Sequence, residues 1–300
     1  MFVQSTLPLD IVLWLQSLEN WFFDLFFNAV SFLGEEYFYI AVIGLVYWTL
    51  NKRFGEFLGI TLGASITFNN VAKEFFESPR PFTESSEVIN KRPGTSSGHS
   101  MPSGHVQGSS TFFFSIAFFS KVKGLLITSI IITILMMLSR MYLGVHYIQD
   151  VVAGAVIGIT IAVVMYYFFD KYKENEQQLH RFYFIIAAIF LPAFIFLMTS
   201  ASANDFFKGY AILIGFIAGV IFEKRYVKFT IDIPYSKKVI RYVLGLISMI
   251  LVLTVFGQLF GLIIQGNEGV VKNLFDFVRY FLVAFVGFGA YPWVFKRFNF

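Results

Sequence analysis

The chain has no cysteine and only four histidines in 300 residues. Without thiols there is no disulfide, no thiolate nucleophile and no cysteine-based metal site. Charge is scarce as well: Asp, Glu, Lys and Arg make up 14% of the sequence, against roughly 25% in ordinary soluble domains. A chain this poor in charge cannot cover its own surface with polar groups in water, and its composition also excludes a disordered chain and a collagen-like fibre. No basic segment precedes the first apolar stretch, since the first Lys or Arg is Lys52, so no cleavable signal peptide is expected. No N-x-S/T sequon is present, so nothing speaks for a glycosylated secretory protein. The net charge of +4 is modest and reflects loop charge, with no nucleic-acid partner expected.

What the chain does have is apolar and aromatic: 57% hydrophobic residues and 40 phenylalanines. A spanning helix needs about 20 predominantly apolar residues. Segments of that kind fall near 34–50, 54–76, 103–120, 124–142, 147–169, 182–201, 206–222, 240–265 and 274–295. The expected fold is therefore an all-α, polytopic membrane helix bundle with about nine spans. Residues 7–33 are apolar but interrupted by Asp10, Gln16, Glu19, Asn20, Asp24 and Asn28. Leu7, Ile11, Trp14, Leu18, Phe22 and Leu25 recur at helical spacing, which predicts an amphipathic interfacial helix over 1–33. The charged stretch at 171–181 is the best seam between a first membrane block, 34–170, and a second of four spans, 182–300. In that second block Gly209, Gly215 and Gly219 suit a close helix contact, including one in a homodimer.

Alternate connections carry 15 of the 23 basic residues, from Lys52 and Arg53 to Lys296 and Arg297, with six in the 223–241 loop. By the positive-inside rule this side is cytoplasmic. The N-terminus is then outside and the C-terminus cytoplasmic. The long 77–102 loop and the turn near 141–147 face outward.

Three polar clusters fall on that outer side. Lys73 lies near the end of a span, and Arg80 follows seven residues later between Pro79 and Pro81, which stiffen the turn. Two cations so spaced can converge on one anion, although Lys73 taken alone is equally a snorkelling lysine. Ser100-Met-Pro-Ser103-Gly104-His105 opens the third span. Free backbone N–H groups at Ser103, Gly104 and His105 would form an anion site, Gly104 allowing close approach and His105 moving a proton; an ordinary helix cap with a buried histidine fits that segment equally. In Ser139-Arg140-x5-His146-x3-Asp150, the i, i+4 spacing puts His146 and Asp150 on one helix face. The carboxylate can bind one imidazole nitrogen and sharpen the other as nucleophile or base, beside Arg140 at membrane depth. Three cations, a helix N-terminus, two histidines and one carboxylate suit a phosphoryl group. A carboxylate-rich metal cage is missing, so the cations would take the place of a metal, with no cofactor. Lys91 and Arg92 match no motif but offer attraction for headgroups, and His99 is taken as a plain loop residue.

Lys73 to Pro81 (K-x6-R-P), Pro102 to His105 (P-S-G-H) and Ser139 to Asp150 (S-R-x5-H-x3-D) together resemble the three signatures of the type 2 phosphatidic acid phosphatase family, the lipid phosphate phosphatase superfamily, without a gap or substitution. The resemblance covers about 35–170, and the block from 182 onward is not part of the common core. The M-P-S-G-H context also looks like sphingosine-phosphate phosphatases and their bacterial relatives. The resemblance implies a PAP2-like core and a metal-independent phosphatase acting on a lipid phosphate or prenyl diphosphate at the extracytoplasmic face of the cell membrane. It implies that His146 attacks phosphorus to form a phosphohistidine, Asp150 orients His146, His105 protonates the leaving group, and Lys73, Arg80, Ser103, Gly104 and Arg140 hold the phosphate oxygens. A phosphotransferase of the same family, or a lipid transporter or binding protein with a vestigial core, remains the alternative.

Overall fold

The computed structural model describes residues 7–200, 202–264 and 269–298, and the described chain is helical. In order the helices are α1 (Leu7–Ser17), α2 (Trp21–Phe32), α3 (Glu36–Leu45), α4 (Lys52–Phe76), the short α5 (Pro81–Glu84), α6 (Gly104–Ser120), α7 (Lys123–Tyr142), α8 (Ile148–Tyr172), α9 (Glu176–Ile189), α10 (Leu191–Phe196), α11 (Asn204–Phe222), α12 (Tyr235–Ile264), α13 (Val270–Phe285) and α14 (Tyr291–Phe298). Single π-helical turns extend α3 over Val46–Leu50, α11 over Glu223–Val227 and α13 over Val286–Ala290.

Six stretches among the described residues are long and apolar enough to cross a membrane: α7, α8, Glu176–Phe196, Asn204–Val227, Tyr235–Ile263 and Val270–Phe298. A seventh arises if α2 and Glu36–Leu50, bent by 51°, form one broken span. The expected spans at 54–76 and 103–120 are both helices, but of a different kind. The 25-residue α4 carries Glu56, Asn69 and Asn70 along its length, and α6 has 17 residues, the short limit for spanning. The single amphipathic helix expected over 1–33 is two helices: residues 1–6 lie outside the described residues, and the chain breaks at Leu18–Asn20. Asn20 explains the break, because its Oδ1 accepts from the N–H groups of Phe22 and Phe23 and caps α2, a cap worth about 1 kcal/mol.

The chain divides into two compact units, Met1–Tyr39 with Asn69–Tyr166, and Ile40–Phe68 with Tyr167–Phe300. The core of unit 1 is built on Val106, Met136, Tyr142, Leu143, Val145 and Val151, from α6, α7 and the start of α8. Two glycines one turn apart on α8 let α6 approach: a Cβ at Gly154 would lie 2.8 Å from the Ser103 carbonyl oxygen, and one at Gly158 would lie 2.5 Å from that of Gln107. This contact holds the N-terminal ends of α6 and α8 side by side.

Unit 2 uses the same device between α11 and α13. A Cβ at Gly215 would lie 2.5 Å from the Phe281 carbonyl oxygen, and one at Gly219 would press on the backbone of Gly289 and Phe285. The faces of Gly215 and Gly219 are therefore occupied within the chain. Aromatic packing fills the rest, with Phe216 and Phe288 ring centroids 4.4 Å apart and Trp48 stacked on Phe288 at 5.5 Å.

Candidate active site

The site is assembled in unit 1 from the end of α4, the 77–102 loop, the start of α6 and the turn between α7 and α8. Asn69, buried in α4, donates to the Pro102 carbonyl at 3.2 Å and to Gln107 Oε1 at 2.8 Å, tying α4 to the approach into α6. The loop is pinned from both sides. The Ser100 N–H donates to the Ser78 carbonyl at 2.8 Å, and the Ser103 N–H to the Asp150 carbonyl at 3.0 Å.

The α7–α8 turn is shaped by Gly144, whose φ of +74° is the left-handed region that favours glycine. A Cβ there would also lie 2.4 Å from the Ile89 carbonyl oxygen. The turn delivers His146 just ahead of α8 and Asp150 in its first turn. His146 Nδ1 lies 3.5 Å from Asp150 Oδ2, but the hydrogen-bonded route runs through Ser100. The Ser100 hydroxyl donates to Asp150 Oδ2 at 2.5 Å and sits 3.1 Å from His146 Nδ1. With its proton given to the carboxylate, the Ser100 oxygen accepts from Nδ1–H, which leaves the Nε2 lone pair facing Arg80 at the other end of the imidazole. The Tyr147 N–H also donates to Asp150 Oδ2, at 2.9 Å. Burial, then the charges of Arg80 and Arg140, holds the His146 imidazole well below the usual histidine range and keeps it neutral.

Arg80 Nη1 meets His146 Nε2 at 3.4 Å. Its other donors go to backbone carbonyls: Val145 at 2.9 Å, Gly98 at 2.9 Å, Ser97 at 2.7 Å and His99 at 3.3 Å. The guanidinium thus gathers the 97–99 loop around the imidazole. Burial pushes Arg80 down to about 10, with the Asp150 carboxylate opposing the fall.

Arg140 is different. It is fully buried, and its Nη1 donates to Ser31 Oγ at 2.6 Å, while Nε and Nη2 have no hydrogen-bond partner among the described residues. His105 Nε2, Ser103 Oγ and Asp150 Oδ1 share that condition. Each such buried polar atom costs about 1–3 kcal/mol. Gly34 makes room beside His105, since a Cβ there would lie 3.1 Å from the ring.

All eight residues predicted from the sequence belong to unit 1. Two expectations need correction. The Ser103 N–H is not free for an anion, because it is spent on Asp150; the open first-turn donors of α6 start at Gly104. Lys91 and Arg92 do not offer free charge to headgroups. Lys91 bonds Glu19 at 2.7 Å and Asp24 at 2.9 Å, and Arg92 bonds Asn28 at 3.1 Å and also Glu35, so both strap the loop onto α2 and the turns that flank it. Sequence reasoning missed Ser100, Asn69 and Ser31 as partners. Among the described residues, no group of three or more His, Asp or Glu is placed to hold a metal ion.

The histidine linked to a carboxylate through Ser100, with Arg80 beside it, sits in an all-helical chain whose family the comparisons with known proteins identify. The chain belongs to the PAP2 superfamily: residues 56–174 match that superfamily, and residues 207–300 match the PAP2 superfamily phosphatase transmembrane extension. The block from 182 onward therefore has a family match of its own, which the three motifs do not reveal. The chain is 26% identical to a probable sphingosine-1-phosphate phosphatase of Dictyostelium discoideum over 65% of this chain and 51% of that one. It is 28% identical to phosphatidylglycerophosphatase B of Bacillus subtilis over 50% of this chain and 77% of that one. It thus spans about half the length of the first relative. A crystal structure of a transmembrane PAP2 type phosphatidylglycerolphosphate phosphatase from Bacillus subtilis aligns with a TM-score of 0.49 and 22% identity, over 57% of this chain and 88% of that one.

Proposed function

We propose that the protein is an integral membrane phosphatase that hydrolyses a lipid phosphate monoester or diphosphate through a phosphohistidine. The observation that carries this reading is the set of buried donors without partners, Arg140 Nε and Nη2, Ser103 Oγ and His105 Nε2, gathered with a neutral histidine in one unit. A phosphate group would satisfy them together.

In the proposed reaction Arg140, Lys73, Arg80, Ser103 Oγ and the first-turn N–H groups of α6 from Gly104 hold the phosphate oxygens. His146 Nε2 attacks phosphorus as the bond to the leaving oxygen breaks, and His105 gives that oxygen a proton. Water then attacks the phosphohistidine, passes its proton to His105, and releases inorganic phosphate with His146 restored. Asp150, acting largely through Ser100, holds Nδ1–H and steadies the imidazolium character that develops in attack. No step calls on a metal. The substrate classes that the relatives' names suggest are a sphingoid-base phosphate and phosphatidylglycerophosphate.

The topology we propose has nine spans, including α4 and α6, with residues 7–33 at the interface, 34–170 as the catalytic core and 182–300 as a membrane extension. The site then faces outward across the cell membrane, with the N-terminus outside and the C-terminus cytoplasmic. This rests on the bias of basic residues toward one set of connections. A cysteine at Ser86 should be labelled by an impermeant thiol reagent in intact cells, and one at Ser236 only after lysis; the reverse labelling inverts the topology.

The decisive experiment is phosphate release by purified protein over a panel of lipid phosphates in excess EDTA. Turnover of at least one lipid phosphate is expected, with an acid-labile phosphoenzyme that is missing in His146→Ala. Normal turnover in a folded His146→Ala protein, or complete metal-reversible loss in EDTA, defeats the reading.

A further inference from the structure

Unit 2 holds a second constellation of charge that the phosphatase reading does not use. A cavity of about 530 Å³ is lined by Lys52, Glu176, His180, Lys224, Arg225 and Lys228 with Ile221 and Phe229. Two of its cations are committed to the fold: Lys52 to Glu223 at 2.7 Å and the Phe229 carbonyl at 3.0 Å, Lys224 to Glu56 at 2.7 Å and Glu176 at 2.9 Å. Arg225 and Lys228 are exposed and have no carboxylate partner among the described residues. With Arg53, the five cations of this cluster outnumber Glu56, Glu176 and Glu223, so the cavity keeps an excess of positive charge.

On the same wall lies an apolar groove of about 400 Å³ lined by Phe184, Ile214, Ile217, Ala218 and Phe222. Ile221 and Arg225 line both spaces, so cationic cavity and apolar groove adjoin across these two side chains. They meet at the π-helical turn Glu223–Val227, which is followed by Lys228 in a left-handed conformation, φ +55°. The extra residue of a π turn changes the direction of the side chains after it, and such turns concentrate at functional sites.

We propose that this is a binding site for an anionic phospholipid, its phosphate between Arg225 and Lys228 and one acyl chain along the groove between α9 and α11. The argument for a lipid over a soluble anion is this adjacency of a cationic and an apolar surface. A free phosphate would use only the cavity, whereas a headgroup with its chain satisfies both surfaces at once. On the topology proposed above, the lipid belongs to the cytoplasmic leaflet, since the 223–241 loop is the most basic connection in the chain. The site stands apart from the chemistry of unit 1 and does not depend on it.

The test uses full-length purified protein and phosphatidylglycerol with a photoreactive group on its acyl chain. Label is expected in the peptides covering 184–226 and in the one holding Phe285, which also lines the groove. Unlabelled phosphatidylglycerol should displace it, while phosphatidylcholine and soluble glycerol phosphate should not. Arg225→Gln with Lys228→Gln should cut labelling about tenfold or more, and Ala218→Phe should cut it with the charges intact. Both variants should elute as the native protein does and turn over a short-chain phosphate at the native rate. Label confined to peptides other than 184–226 and the one holding Phe285, equal displacement by phosphatidylcholine, or full labelling of the double variant overturns the proposal. Equal displacement by glycerol phosphate overturns its lipid part. If the double variant does not fold, Ala218→Phe and the competition with phosphatidylcholine decide. If the protein hydrolyses no phosphate at all, labelling with native elution still supports this site, because its readout does not pass through His146.

Discussion

Unit 2 buries two carboxylates and furnishes both with donors. Glu56 accepts from Tyr183 at 2.9 Å, Lys224 at 2.7 Å and Arg53 at 3.3 Å; Glu223 accepts from Lys52 at 2.7 Å, the Phe229 N–H at 2.9 Å and Tyr47 at 3.5 Å. Unit 1 buries Arg140 just as fully and gives it one hydroxyl, from Ser31. The difference separates two uses of buried charge. A charge with a complete set of partners serves the fold, because removing one partner strands the other. A charge left with open donors weakens the fold and is tolerated where a ligand completes it.

The comparison breaks or sharpens under mutation. The largest effect should come from Arg140→Met, which removes a cation that the proposed mechanism places on the phosphate. We expect turnover to fall by about 10²–10³-fold with stability unchanged or raised, measured by phosphate release and thermal unfolding of the same preparation. Glu223→Gln should do the opposite, costing about 3 kcal/mol of stability while folded molecules keep their turnover. If both variants lose stability alike, the distinction between the two kinds of buried charge fails.

Ser100→Ala should lower kcat by about tenfold to a hundredfold with KM little changed, because the imidazole loses its link to Asp150. Ser100→Thr restores the hydroxyl and should rescue the rate. A kcat loss that threonine leaves untouched would assign Ser100 to packing alone.

The pH profile tests the electrostatics of unit 1 directly. In the proposed mechanism His146 attacks as the neutral imidazole, so protonation at low pH should stop the reaction. Its downward shift moves that acid limb of kcat/KM below the ordinary histidine value of about 6.5. A limb at or above 6.5 that disappears in no other variant contradicts the burial of His146 among cations.

The smallest effects should come from the paired glycine contacts. Gly158→Ala and Gly215→Ala each push a Cβ to 2.5 Å from a backbone oxygen, at a cost of about 1–3 kcal/mol. Stability should drop in both, but turnover per folded molecule only in Gly158→Ala, because only that contact aligns α6 with α8. Equal loss of turnover in both would mean that unit 2 reaches the chemistry.

Much of this was readable in the sequence because the relevant groups sit on short, rigid spacings. K-x6-R-P, P-S-G-H and S-R-x5-H-x3-D each span one turn or helix end, and the helices near 124–142 and 147–169 follow from unbroken apolar runs. What escaped depends on long-range pairing. Ser31 meets Arg140 across 109 residues, and Ser100 meets Asp150 across 50; a lone serine has no local pattern that reveals such a partner. The π turns left no periodic signal either, since each adds one residue to an otherwise ordinary helix. Lys91 and Arg92 look like free cations in a loop, and only folding shows α2 and its flanking turns supplying their acids.

The bond from Arg140 to Ser31 has a consequence for how such a protein is inherited and divided. The superfamily match begins at residue 56, yet the hydroxyl that aims Arg140 lies 25 residues upstream of that border, and the acids that tether the long loop lie there too. The unit that recurs between relatives and the unit that works as a piece of matter have different edges. A gene segment cut at the recurring border would keep every signature residue and lose the support that points one of them. Recombination that swaps the first forty residues for those of a distant relative should therefore leave the motifs intact and the arginine unaimed.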